Sequence, residues 1–340
     1  MKILITGGAG YIGSHAVYKA CSDGHDVVIV DNFLRGFREC IETLSSTFPG
    51  KITFYNADLR KKEEIEKVFE KEKIDAVLHF AALCSVNESM EDPYFYFENN
   101  TYGTANLLDV MKKYDVRNIV FSSTCATYGP KERSDNIYDY SINELNIQLP
   151  ESPYGESKLL SEKEIFWFNK LFGINYTILR YFNVCGAQEN GIVGDSKRPS
   201  LLLMQNAVRG ALGIEPFKLT YSEVDTPDGS PIRDYVNVED LIDAHFLALD
   251  KMIRQKTSGI YNVGTGKGSS VLEIVNKVME ITGTKFDISK GEARKGEAKA
   301  LYSNTEKIVN ELGWKPARSI EDSVKSLVKW YTNRPNGWKE

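Results

Sequence analysis

The sequence predicts an α/β protein: a doubly wound parallel sheet with a smaller C-terminal α/β unit. Three observations predict it. An apolar strand, Ile3 to Thr6, runs straight into a glycine cluster and a helix. Strand and helix patterns then alternate as far as Asn183, which is the signature of a parallel sheet covered by helices on both faces. Beyond Asn183 the alternation breaks up in a Gly- and Pro-rich segment, 191–229, interrupted by one short helical pattern from Leu201 to Val208. The division expected is a dinucleotide-binding unit at 1–182, with contributions from about 233–263, and a substrate unit at 183–340.

With 340 residues, the chain has room for two domains sharing one interface. Hydrophobic residues make up 42% and charged residues 26%, as in an ordinary soluble globular protein. No apolar run approaches membrane-spanning length, and no signal peptide precedes the first strand, so no membrane partner is expected. A net charge of −5 offers no basic field for nucleic acid; an anionic ligand must be held by locally placed cations. The five cysteines are an odd number without C-x-x-C spacing. They imply neither a zinc site nor a disulfide framework, no metal is expected, and the cytoplasm is the simplest compartment.

The first strand leads into Gly7-Gly8-Ala9-Gly10-Tyr11-Ile12-Gly13, followed by a helix from Tyr11 to about Cys21. Gly8, Gly10 and Gly13 satisfy G-x-G-x-x-G; Gly7, Gly10 and Gly13 satisfy the wider G-x-x-G-x-x-G. Either set allows a tight turn whose amides approach a pyrophosphate at the positive end of the helix dipole. The next strand, Asp26 to Val30, ends at Asp31, placed to accept hydrogen bonds from an adenosine ribose. Strand, glycines, helix, strand and acid in this order define a Rossmann dinucleotide site. A carboxylate at Asp31 repels a 2′-phosphate, so NAD is expected rather than NADP, and the nearby Arg35 and Arg38 are read as solvated surface.

A strand near Ile52 to Tyr55, then Asp58-Leu59, a charged helix from Lys61 to Lys71 and a strand from Asp75 to Phe80 continue the alternation. Asp58 falls where adenine would lie, and the small residues after Phe80, Ala81 and Ala82, allow close approach of a cofactor. A long helix is expected from Pro93 to Tyr114. The strand from Asn118 to Phe121 runs into Ser122-Ser123-Thr124, a crowd of hydroxyls at the end where cofactor and substrate should meet.

After a loop-rich stretch, Pro130 to Pro150, Ser152-Pro153-Tyr154-Gly155-Glu156-Ser157-Lys158 opens a helix running to about Phe172. Ser152 suits the N-cap and Pro153 the first turn. Tyr154 and Lys158 stand four apart, so a phenol and an ammonium share one face. Lys158 is expected to bring the Tyr154 pKa down from its usual ~10, with a second positive charge such as an oxidised nicotinamide ring completing the shift. The strand Asn175 to Leu179 follows. The smaller unit contains helices from Val238 to Ile253 and Val271 to Ile281, a strand at Ile260 to Val263, and terminal helices near Thr305 to Leu312 and Ile320 to Trp330.

On these residues the chain resembles, over its whole length, the extended short-chain dehydrogenase/reductases, and within them the UDP-glucose (UDP-galactose) 4-epimerase family. The resemblance implies that Gly7, Gly10, Tyr11, Ile12, Gly13, Asp31, Asn32, Asp58 and Leu59 contact NAD. Phe80, Ala81, Ala82, Asn99, Ser122 and Tyr181 join them on the same ground. It implies a catalytic set of Thr124, Tyr154 and Lys158, with Tyr154 and Lys158 also touching the cofactor. Asn183, Arg233, Tyr235, Val271, Arg294, Glu297 and Leu301 become UDP-sugar contacts alongside Thr124 and Tyr154, with Arg233 and Arg294 on the diphosphate. The resemblance puts Leu301 at a position that gates N-acetylated sugars, the alternative being an ordinary apolar residue under the C-terminal unit.

The resemblance further implies hydride removal at C4 to bound NAD, a 4-keto sugar, and hydride return to the other face. Close relatives that dehydrate nucleotide sugars carry Asp-Glu directly after the Thr124 position; here Cys125-Ala126 stands there, which favours hydride return. Departures from the family pattern are Cys84 where many members have a lysine, Asn237 for a His, an unrecognisable segment at 199–204 and Tyr221-Ser222-Glu223 for a Phe-Gly turn. The alternatives are a UDP-xylose or UDP-N-acetylglucosamine 4-epimerase and, outside enzymes, a dinucleotide sensor. A homodimer is expected through the helices near 93–113 and 153–172, whose apolar positions exceed one narrow stripe.

Overall fold

The computed structural model describes residues 1–129, 140–197, 200–291 and 298–339. Seven strands form the larger sheet: β1 (Lys2–Thr6), β2 (Asp26–Asp31), β3 (Ile52–Asn56), β4 (Ala76–His79), β5 (Asn118–Thr124), β6 (Asn175–Tyr181) and β7 (Gly259–Val263). Their order is β7-β6-β5-β4-β1-β2-β3, and every pairing is parallel. The order reverses between β1 and β4, where Thr6 is in register with His79. A crevice opens beyond the carboxyl ends of strands at such a switch point.

The strands bury alternate residues in two cores because helices cover both faces. Ile3, Ile5, Val27 and Ile29 face one core with Ala16, Val17 and Ala20 of the helix Tyr11–Ser22. Leu4, Val28 and Val30 face the other, with Ile65, Leu107, Leu108 and Ile165. The first core continues without a break through Leu241 and Leu249 of the helix Val238–Gln255 to Trp314 and Trp330 of the C-terminal half. One apolar core therefore runs from the larger sheet into the C-terminal residues.

The smaller sheet centres on Ile232–Asn237, flanked by an antiparallel Gly268–Ser270 and a parallel Ala300–Ser303. Ser141–Ile142, from the expected loop, pairs with Ala300–Ser303, and Asn183–Cys185 pairs with Tyr235–Asn237. Leu219–Ser222 and Ile288–Gly291 form a separate parallel pair.

Elements among the helices differ from expectation as well. A helix, Arg38–Thr47, follows β2 and buries Cys40, Ile41 and Leu44. The short helix of the Gly/Pro segment is Leu203–Ala211. The long helix from Pro93 is divided into Pro93–Tyr96, a π-turn at Phe97–Tyr102, and Gly103–Lys113. At that π-turn the Asn100 carbonyl accepts hydrogen bonds from the hydroxyls of Thr104 (2.6 Å) and Ser161 (3.2 Å), which offer it partners outside the helical ladder.

Candidate cofactor cleft and catalytic site

A cleft of about 380 Å³ lies over the switch point. Its floor is the glycine turn. Gly7 has φ +72°, and a Cβ there would sit 2.7 Å from the Ala81 nitrogen; a Cβ on Gly13 would sit 2.1 Å from the Gly7 carbonyl oxygen. Only bare backbone leaves this cradle open, and Tyr11–Ser22 begins at it with no side chain capping its N-terminus. A diphosphate fits a cradle of this kind.

Asp31 and Asp58 stand at one end of the cleft. The Asp31 carboxylate accepts the N–H groups of Ala9 (3.0 Å) and Phe33 (2.8 Å), which hold it in place while burial pushes its pKa up. Burial opposes the charge on Asp58 too, but hydrogen bonds from Arg60 and Asn32 outweigh it and bring the carboxyl down to about 2. Asn32 Nδ2 donates to Asp58 Oδ2 at 3.1 Å, which ties the end of β2 to the loop after β3 along this edge of the cleft. Leu59, Phe80, Ala81, Ala82 and Asn99 line the walls with Tyr11 and Ile12.

At the other end Thr124, Tyr154, Lys158 and Tyr181 line the same cleft. The helix carrying Tyr154 spans Pro153–Phe172; Ser152 caps it by accepting the Gly155 N–H at 3.2 Å. Asn100 fixes its approach to the sheet, donating to Ser157 Oγ and to the Leu83 carbonyl, both at 3.0 Å. Behind Thr124, Arg180 forks onto Glu162 (2.6 Å at the closest) and donates to the Tyr128 hydroxyl (2.9 Å), with Ser123 also donating to Glu162. This buried network went unread because its members are spread over four segments.

The expected depression of the Tyr154 pKa calls for a second positive charge beside Lys158, and burial works against it. Burial raises the phenol well above its usual value, and a hydrogen bond with Thr124 opposes the rise only in part. Lys158 is itself desolvated, down to about 8, although Cys84 and Glu162 pull the other way.

Ser122 does not line the cleft. Its hydroxyl lies 2.9 Å from His245 Nε2, and the His245 ring packs near Phe80 and Tyr181, so Ser122 supports the aromatic wall from behind. Arg35, expected in solvent, lines the rim and pairs with Glu88; Arg38 lies 5.0 Å over the Phe33 ring. Asn237 caps Val238–Gln255, accepting the Glu239 N–H at 2.8 Å and donating to Ser323 at 2.9 Å.

A second pocket, about 470 Å³, adjoins the first through Asn183, Val184, Leu201 and Leu202. Arg233, Tyr235 and Val271 line it with Tyr221 and Ser222. Arg233 spends one nitrogen on the Ile232 (2.9 Å) and Ala298 (3.0 Å) carbonyls. Leu301 lines neither pocket; it packs against the cluster of Tyr128, Ile142 and Phe182. Arg294 and Glu297 lie outside the described residues. Among the described residues no group of three or more His, Cys, Asp or Glu could hold a metal, and no helix is long and apolar enough to cross a membrane.

Fold, glycine cradle and a Thr–Tyr–Lys set on one cleft define an enzyme of the dinucleotide-dependent dehydrogenase class. Residues 3–264 match the model of the NAD dependent epimerase/dehydratase family, and the chain belongs to that family, with NAD as its cofactor. More particularly, it is 39% identical to a UDP-glucose 4-epimerase of Lactobacillus helveticus, covering 100% of both chains. A solved UDP-glucose 4-epimerase matches it with a TM-score of 0.93 and 40% identity over 100% of each chain. The UDP-glucose 4-epimerase of Bifidobacterium longum, solved in complex with NAD⁺ and UDP, matches with a TM-score of 0.90 and 33% identity over 99% of this chain and 100% of that one.

Proposed function

We propose that this protein interconverts UDP-galactose and UDP-glucose by inverting C4 through a 4-keto sugar. The observation that carries the reading is the position of Thr124, Tyr154 and Lys158 in the glycine-cradle cleft, beside Asn183, where the second pocket begins. Bound NAD supplies the hydride acceptor and donor at C4. Tyr154 exchanges the proton of the sugar 4-hydroxyl, directly or through Thr124, and Lys158 holds positive charge on the same helix face. Arg233 suits the sugar nucleotide's diphosphate, and Arg294 and Glu297 are proposed to join it. Ser122 acts on the cofactor through Tyr181.

Two observations support inversion over dehydration. Cys125 and Ala126 stand directly after Thr124, and among the described residues lining the two pockets the only carboxylates are Asp31 and Asp58. Both are fixed by backbone or Arg60 contacts away from Tyr154.

We divide the chain as a cofactor unit, 1–182 with 233–263, and a substrate unit, the rest of 183–340. Exposed Tyr94, Tyr102, Phe166, Trp167 and Leu171 on the two long helical stretches support a homodimer through that face. All five cysteines are unpaired, in keeping with the cytoplasm.

The test is to incubate the purified protein with UDP-galactose, UDP-xylose and UDP-N-acetylglucosamine separately and resolve the products. UDP-glucose from UDP-galactose, formed fastest of the three conversions, is expected. A dehydrated 4-keto product, or no conversion of UDP-galactose, would overturn the proposal.

A further inference from the structure

We propose that Lys197 is a cofactor-binding residue whose ammonium, delivered from the C-terminal half, takes charge from the dinucleotide's diphosphate. The inference rests on NAD as cofactor and is independent of which sugar is epimerised.

Among the described residues the cleft is lined by three basic side chains, Arg35, Lys158 and Lys197. Lys158 serves the catalytic end, and Arg35 is paired with Glu88 at the rim. Lys197 has no carboxylate partner within ion-pair distance among the described residues. Among the described residues its side-chain hydrogen bond goes to Cys84 Sγ at 3.1 Å. A thiol is a weak acceptor and an ammonium has three donors, so most of the bonding capacity of Lys197 is unspent inside a cleft built for an anion. The nearest acid in sequence, Asp195, is committed elsewhere: its Oδ1 accepts the Lys197 backbone N–H (3.3 Å) and its Oδ2 the Ser200 hydroxyl (3.1 Å).

Both sides of the Lys197–Cys84 contact are fixed. The Asp195 carbonyl accepts Trp330 Nε1–H at 2.9 Å, and Ser196 Oγ accepts the Trp338 N–H at 2.9 Å. Gly194 lies flat under the Trp330 ring, where a Cβ would come within 2.4 Å of Cδ2. Across the cleft, Asn100 Oδ1 holds the Leu83 N–H at 2.8 Å and the Tyr96 hydroxyl holds the Ser85 N–H at 2.9 Å. The ammonium is also close enough to Arg35 to feel its charge, and the rim at Gly36–Phe37 closes on Ala9 of the glycine turn, with the Phe37 N–H on the Ala9 carbonyl at 3.2 Å. These contacts put Lys197 on the glycine-turn side of the cleft. The second pocket, with Arg233, does not include it.

The cradle amides and helix dipole contribute roughly half a charge, whereas a dinucleotide diphosphate brings two negative charges. Lys197 supplies the missing full charge. Because it arrives from the other half of the chain, the cofactor bridges the two units.

The experiment uses the full-length protein as purified, with its bound NAD. Exchange with added isotopically labelled NAD is timed for wild type, Lys197→Met, Lys197→Arg and the double variant Cys84→Lys/Lys197→Met, and UDP affinity is titrated on each. Loss of a charged hydrogen bond predicts exchange roughly 10- to 100-fold faster in Lys197→Met. Lys197→Arg should stay near wild type, and the double variant should recover most of the retention by returning the ammonium from the opposite wall. UDP affinity should be unchanged. Exchange unaltered in Lys197→Met, a loss confined to UDP, or no recovery in the double variant each overturns the proposal. If Lys197→Met does not fold, Lys197→Gln carries the same comparison. Wild-type protein with no bound NAD would count against the cofactor reading itself, and failure to convert UDP-galactose would leave this result untouched.

Discussion

The Lys158 ammonium lies 4.5 Å from the centre of the Phe121 ring, one helical turn beyond Tyr154 on the same face. It is buried at the end of β5, where burial brings its pKa down to about 8 against the pull of Cys84 and Glu162. In the unfolded chain it titrates near ~10.4. Between those values the unfolded chain binds more protons than the fold, so the Lys158 contribution to stability rises with pH across that window and is level below it. Thermal midpoints of wild type and Lys158→Met should run parallel at neutral pH, with wild type gaining on the variant from about pH 8 to about pH 10. Parallel behaviour throughout would mean the ammonium is not desolvated.

Replacing Tyr154 by Phe keeps its near-perpendicular packing on Tyr96, 6.3 Å between ring centres, and removes only the hydroxyl. General acid–base groups contribute about 10² to 10⁴ in rate, so kcat for UDP-galactose should fall by that factor with KM little changed. Near-normal turnover in Tyr154→Phe would sink the assignment of Tyr154 as the proton carrier.

Glu162 and Arg180 form a buried forked ion pair beneath the catalytic strand end. Removing one partner of such a pair leaves an uncompensated charge at a cost of roughly 3–5 kcal/mol. Glu162→Ala should therefore lower the free energy of unfolding in urea by that amount, and Tyr128 should lose its fixed position. A loss below about 1 kcal/mol would show that the pair is solvated in solution, as exposed pairs are.

The glycine cradle permits a sharper test. A Cβ on Gly13 would meet the Gly7 carbonyl oxygen at 2.1 Å, with no flexible side chain available to yield. Gly13→Ala must shift the turn that carries the diphosphate-facing amides. The purified variant should retain little NAD, measured as dinucleotide released on denaturation, while wild type retains it. Equal retention would remove the cradle from cofactor binding.

What could be read in advance was what sequence spacing encodes. Gly7 to Gly13, Asp31 and the Tyr154–Lys158 pair announce themselves because their geometry is local: a turn, a strand end, one face of a helix. Lys197 gave no such signal, since it lies 113 residues from Cys84 and its place is set by Trp330 and Trp338. The π-turn at Phe97–Tyr102 was equally hidden, because the Ser161 hydroxyl that bonds the Asn100 carbonyl comes from a different helix. The burial of Tyr154, which raises its pKa, was equally hidden, because a pairing visible in sequence carries no information about burial.

Leu301 offers the test of sugar size. It sits in register with Arg233 and packs against the cluster of Tyr128, Ile142 and Phe182, of which Phe182 lines the cofactor cleft beside Asn183. It thus backs a wall of that cleft, without reaching the cavity itself. A tyrosine there is too large for the Tyr128–Ile142–Phe182 cluster and should push that wall inward. Overpacking costs typically ~1–3 kcal/mol, and the acetamido group of UDP-N-acetylglucosamine needs the space that glucose leaves free. Leu301→Tyr should therefore lower kcat/KM for the N-acetylated sugar by roughly 10-fold or more while sparing UDP-galactose. Comparing both sugars before and after the substitution decides it: an equal loss on both would make Leu301 a packing residue, and no change on either would take it out of the sugar wall.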